Sequence, residues 1–172
     1  MAMESAIARD SDHSPSRDNR LLDWLWLLAW GGLASLYCVI AGQKLGATFD
    51  EPFYMTAGMD HWRTGSYEQL LRAGTMPLPV DVQTLPLYLY ERWNSVTLDV
   101  DRDLDVILPY ARLGTLAFLW LLLIYARLIG RAAGGPWAGR LAVALLAIEP
   151  SFLGHSSLAT TDIAITACML PL

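Results

Sequence analysis

Charged residues are scarce in this chain, 17% of 172 residues, and no stripe of Lys and Arg runs along any segment. With 12 basic residues against 17 acidic ones the formal net charge is -5, so the basic surface that a nucleic-acid backbone requires is missing. Nucleic acid is therefore not an expected partner. Cysteine is nearly absent: Cys38 and Cys168 both lie in apolar segments with no His, Asp or second Cys at ligand spacing. Neither a zinc site nor a disulfide framework is expected from them. Internal repeats and low-complexity arrays are also lacking. What the chain has in quantity is apolar side chain, 54% of residues, more than one small core hides.

The distribution of that apolar surface predicts an all-α polytopic membrane protein. Residues 1–20 are polar, contain Ser, Asp and Pro, and read as a disordered cytoplasmic tail. Residues 21–42 contain a charge-free run, Trp24 to Gly42, long enough to cross a hydrocarbon core of about 30 Å. A signal peptide is the rival reading, because Val39-Ile40-Ala41 resembles a cleavage site, but the run exceeds the usual apolar region and more apolar segments follow. Further spans are expected at 107–129 and 136–154, and a fourth begins at Ile163 but stops at Leu172, too short to cross. Truncation inside a fourth helix is the expected reason. Arg9, Arg17 and Arg20 before the first span, and Arg127, Arg131 and Arg140 around the turn between the second and third, place both on the cytoplasmic side. The stretch 43–106, with five basic residues against ten acidic ones, is then an outer loop, expected to hold short helices resting on the membrane. One of them starts at Asp50 as cap, presents Phe53, Ala57 and His61 on one face and stops at Gly65. The aromatic run Leu85 to Trp93 suits the headgroup boundary.

Three groups could carry chemistry: Asp50-Glu51, the segment His155 to Asp162, and the acidic run Asp99 to Asp105. Alternation of sides brings Asp50-Glu51 and Asp162 to the same outer face. Adjacent carboxylates there can accept a proton from an attacking hydroxyl, although helix capping explains Asp50, and equally Thr160-Thr161-Asp162, without any chemistry. His155 is a candidate phosphate contact, or simply a polar anchor at the interface. Asp99 to Asp105 alternates like a calcium loop, but the sixth position is Leu104 and the twelfth Tyr110, so a solvated connector is expected and no metal.

Two stretches, FDEPFYMTAGMDHWRTGSYE (Phe49 to Glu68) and LLAIEPSFLGHSSLATTDIAITA (Leu145 to Ala167), resemble the GT-C superfamily of integral membrane glycosyltransferases. The likeness is to bacterial proteins related to the dolichyl-phosphate-mannose protein mannosyltransferases and the lipid A aminoarabinose transferases. The first supplies the family's Asp-Glu pair and Thr64-Gly65; the second supplies Pro150, His155, Leu158, Thr160, Thr161 and Asp162. Ser157 stands where many relatives carry Arg, and Ala73 to Thr84 lacks their Glu-His-Pro-Pro element. The resemblance implies residues 21–172 as the amino-terminal part of a transmembrane catalytic domain in the bacterial inner membrane, with the N-terminus cytoplasmic. It implies transfer of a sugar from a polyprenyl-phosphate donor to a hydroxyl of a protein or glycolipid at the outer face, with inversion. Asp50 is then the base, Glu51 positions acceptor or loop, Asp162 is a second acid, and His155 and Arg112 contact donor phosphate or acceptor. No cofactor is called for, and the fragment alone is not expected to be active. The alternative is a non-catalytic membrane subunit or transporter fragment.

Overall fold

The computed structural model describes residues 17–170, with side-chain surroundings from Arg20 onward. Within them the chain is all-helical. The expected tail falls mostly outside the described residues, but its last four belong to the first helix, α1, which spans Arg17–Lys44. Then come α2 (Glu51–Thr64), α3 (Glu68–Arg72), α4 (Pro77–Asn94), α5 (Leu104–Ile148), α6 (Pro150–Ser156) and α7 (Asp162–Met169). Two helices, Arg20–Lys44 and Leu104–Ile148, are long and apolar enough to cross a membrane.

The 45-residue α5 is not straight. Gly134 (φ -147°, ψ 21°) and Gly135 (φ 79°, ψ -171°) leave helical geometry, and Pro136 restarts it with a residue that needs no N–H partner. A positive φ at Gly135 is open to glycine at no steric cost. The two limbs fold back on each other. A methyl on Gly139 would lie 2.8 Å from the Arg127 carbonyl oxygen, and one on Gly130 2.9 Å from that of Ala138. In an unbroken helix residues 127 and 139 would be about 18 Å apart. Leu119 and Leu123 of the first limb, Val143 and Ala147 of the second, and Leu27, Ala34 and Cys38 of α1 share one buried cluster. Trp120 fills the space a side chain at Gly31 would need and donates from Nε1 to Ser35 Oγ at 3.1 Å.

Outside that cluster α1 is apolar and bare. Leu25, Leu28, Leu36 and Ile40 are each 46–57% exposed. In the most apolar stretches of the two long helices only 28% and 39% of residues are buried. A soluble protein would bear a continuous apolar strip of this kind at the cost of aggregation, whereas lipid tails accept it.

The expected outer loop is a packed layer of helices. α2 ends at Gly65 (φ 77°), whose N–H donates to His61 O. Its buried face is Glu51, Met55, Gly58 and Met59, together with Ala57; Phe53, expected on one face with Ala57, is 40% exposed. α4 lies lengthwise on the first limb of α5, with Leu87 packed among Met55, Met59, Ile107 and Ala111. The closest approach is at Gly114, where a Cβ would stand 2.6 Å from both Gln83 Cα and Val82 O. These are backbone atoms that cannot swing aside. Gly114→Ala is therefore expected to lower stability by about 1–3 kcal/mol, read as a fall in unfolding temperature in detergent. An unchanged Tm would mean that α4 is not seated on α5.

The run 136–154, expected as one span, is divided at Glu149. Its backbone turns extended (φ -72°, ψ 121°) because Pro150 has no N–H to continue the helix, and its carboxylate accepts from Phe152 N at 2.8 Å to cap α6.

Candidate functional site

Glu51 lies in the first turn of α2, 0% exposed. A buried carboxylate is tolerated only if its lone pairs are filled, and here all are. Arg112, from the first limb of α5, donates Nε to Oε1 and Nη2 to Oε2, both at 2.8 Å. Thr48 N donates to Oε2 at 2.8 Å and Ala159 N to Oε1 at 2.7 Å. Burial pushes the Glu51 carboxyl up, but the Arg112 hydrogen bonds, the two backbone donors and the Arg112 charge outweigh it and hold the group below its ordinary range.

Arg112 is equally committed. Besides Glu51 it donates to the carbonyls of Gly42, Leu45 and Gly46 at the end of α1, the last two at 2.8 Å. All five guanidinium N–H groups are spent inside the protein, and the side chain is 5% exposed. The expected contact between Arg112 and a donor phosphate or acceptor is corrected on this ground. Arg112 is a strut that ties the end of α1 to the start of α2.

The non-helical segment between α6 and α7 is pinned from three directions. Its backbone offers Ala159 N to Glu51 of α2, Thr160 O to Gln83 Nε2 of α4 at 2.6 Å, and Leu158 O to Thr115 Oγ1 of α5 at 3.1 Å. Buried backbone groups outside helices need such partners, and an unmet one costs about 1–3 kcal/mol. This pinning sets the positions of the exposed residues at either end. His155 Nδ1 stands 3.2 Å from Asp162 Oδ2, which also accepts from Thr160 Oγ1 at 3.1 Å. They border a cleft of about 180 Å³ whose walls include Ser151, Phe152 and Thr166.

Asp50 occupies the N-cap position of α2 with helical backbone angles (φ -87°, ψ -24°) and makes no side-chain cap bond. The expected capping role is therefore absent. Its exposed carboxylate is uncommitted, and among the described residues it forms no hydrogen bond or ion pair with His155 or Asp162. Thr161 is the cap residue of α7, again without a side-chain bond. In the acidic connector, Asp99 Oδ1 accepts from Asp101 N at 3.0 Å and from Arg102 N at 3.3 Å. Asp103 Oδ2 accepts from Asp99 N at 2.9 Å, so these acids order a turn. No group of three metal-ligating side chains occurs among the described residues.

Two polar groups escape a reading of the sequence. On the loop, Tyr67 donates to Asp81 Oδ2 at 2.9 Å and stacks on His61 with ring centres 3.7 Å apart. The Asp81 hydrogen bond holds the Tyr67 hydroxyl above its ordinary pKa, with burial and the Asp81 charge adding to the effect. At the opposite end, Asp23 of α1 is 3% exposed and faces Arg127, Arg131 and Arg140. A cleft of about 500 Å³ has Trp62, Arg63, Tyr88 and Glu91 in its wall and none of the expected site residues. Comparison with protein-family profiles, with curated proteins and with solved structures found no match.

Proposed function

We propose that this chain belongs to a membrane glycosyltransferase of the GT-C kind. On this reading a sugar passes from a polyprenyl-phosphate donor to a hydroxyl of a protein or glycolipid at the outer face of a bacterial inner membrane. The observation that carries the reading is the bond from Ala159 N to Glu51 Oε1. It joins the two stretches whose residues resemble the family, 108 positions apart, at one end of the helix bundle. Around that joint, Asp50, His155 and Asp162 remain exposed while Glu51 and Arg112 are sealed inside.

The roles follow from which groups are free. Asp50 takes the proton of the acceptor hydroxyl as its oxygen attacks the sugar's anomeric carbon. The bond from that carbon to the donor phosphate oxygen breaks, and the polyprenyl phosphate leaves as an anion, with inversion. His155, held by Asp162, faces the departing phosphate as hydrogen-bond donor. Glu51 positions the loop and does not touch substrate. The test is sugar transfer from a polyprenyl-phosphate donor by membranes carrying the protein, with Asp50→Asn as the diagnostic variant.

The same reading takes α1, the two limbs of α5 and the start of α7 as three crossings and the beginning of a fourth, with the N-terminus cytoplasmic. Arg127, Arg131 and Arg140 cluster at the Gly134-Gly135 reversal, as basic residues do on the cytoplasmic side. In a Cys168→Ser background, a cysteine at Ala73 should react with an impermeant thiol reagent from outside, and one at Ala133 only after the membrane is opened. Both positions are exposed. Labelling of both from one side would remove the α5 reversal as a membrane hairpin.

A further inference from the structure

We propose that the Asp23 cluster is a binding site for the phosphate of an anionic phospholipid headgroup. The inference rests on the chain spanning a membrane but not on its catalytic reading. Three guanidinium groups converge on one carboxylate. Arg140 Nε donates to Asp23 Oδ1 at 2.8 Å, Arg131 Nη1 donates to Oδ2, and Arg127 Nη2 stands 3.7 Å from Oδ2. The formal charge of the four side chains is +2, and the side-chain exposures of Arg140, Arg127 and Arg131 are only 5%, 11% and 28%. So much like charge withdrawn from water calls for a further anion.

The donors for that anion are in place. Arg140 Nη2 and Arg127 Nε are buried and have no hydrogen-bond partner among the described residues. A phosphate offers several acceptor oxygens to such forked donors. The depth fits a headgroup. The Arg127 guanidinium lies 4.7 Å over the ring of Trp24 and that of Arg140 4.9 Å over the ring of Trp137. These two indoles are 49% and 67% exposed, at the ends of the long apolar stretches, the level at which tryptophan meets lipid headgroups.

The experiment reconstitutes the full chain in nanodiscs of equimolar phosphatidylglycerol and phosphatidylcholine, then counts retained lipids by native mass spectrometry. Phosphatidylglycerol should be retained in several-fold excess. Arg131→Gln and Arg127→Gln should each cut that excess by about fivefold, the effect of one basic side chain at an anionic surface. Arg92→Gln, on the outer layer, should leave it unchanged. Asp23→Asn removes the competing carboxylate and should raise retention, an outcome that loss of a purely structural bridge does not produce. If Asp23→Asn fails to insert, the two arginine variants still decide. Equal retention of both lipids, or no change in the double arginine variant, overturns the proposal. So does thermal protection by inorganic phosphate in phosphatidylcholine discs that matches protection by phosphatidylglycerol, because the site would then belong to a soluble anion.

Discussion

Arg112→Ala is expected to lower stability by about 3–5 kcal/mol, because it leaves a buried, ionised Glu51 without its countercharge. Three carbonyls at the end of α1, those of Gly42, Leu45 and Gly46, lose their donor in the same step. Arg112→Lys should recover only part of this, since an ammonium cannot form the paired Nε and Nη2 bonds to the two carboxylate oxygens. The double variant Arg112→Met with Glu51→Leu removes both charges. It should be milder than Arg112→Ala yet still destabilised, because Thr48 N, Ala159 N and the three carbonyls remain unpaired. Thermal unfolding in detergent measures all three, and an Arg112→Ala protein within 1 kcal/mol of wild type, by the scale just used, would show that the pair carries no load.

Acid should mimic the mutation. The Glu51 carboxyl sits below its ordinary pKa in the folded chain, so the unfolded state binds its proton first as pH falls. Its contribution is complete above the unfolded value of about 4.3 and is lost as pH falls from there through the lower, folded one. In Glu51→Gln that segment of the stability curve should flatten.

The sequence marks its punctuation plainly and its pairings hardly at all. Gly65 as the stop of α2 and the reversal between Ile129 and Pro136 are legible because glycine and proline act locally. The reach of α1 back to Arg17 is not, since a polar first turn resembles a tail. Glu149 looks like a misplaced charge inside a span until Pro150 is seen to require a new cap there. Arg112 looks like a snorkelling arginine near a span end, whereas its partners lie 61 to 70 positions away. Asp23 carries a signal that could have been used. An acid just inside an apolar helix, on the same side as three arginines, has its countercharges within reach. Which carboxylate of the Asp-Glu pair is sealed and which is free depends on the angle at which α2 leaves α1, and that is decided by Arg112.

That division of labour makes Asp50→Asn the sharpest test of the proposed chemistry. The substitution keeps size and hydrogen-bonding oxygen and removes basicity. Since the Asp50 side chain makes no cap bond, little folding energy is at stake, and membrane insertion and Tm should stay near wild type. Sugar transfer should nevertheless fall by roughly a hundredfold or more, the usual weight of a positioned base. Glu51→Gln should behave in the opposite way, losing stability first and activity only as a consequence. Asp99→Asn is the control, because asparagine still accepts the Asp101 and Arg102 N–H bonds that order the connector. It should be nearly neutral in both measurements. If Asp50→Asn inserts normally and keeps near-full transfer, Asp50 is not the base. The exposed His155–Asp162 pair beside its 180 Å³ cleft would then be the remaining proton acceptor at this face.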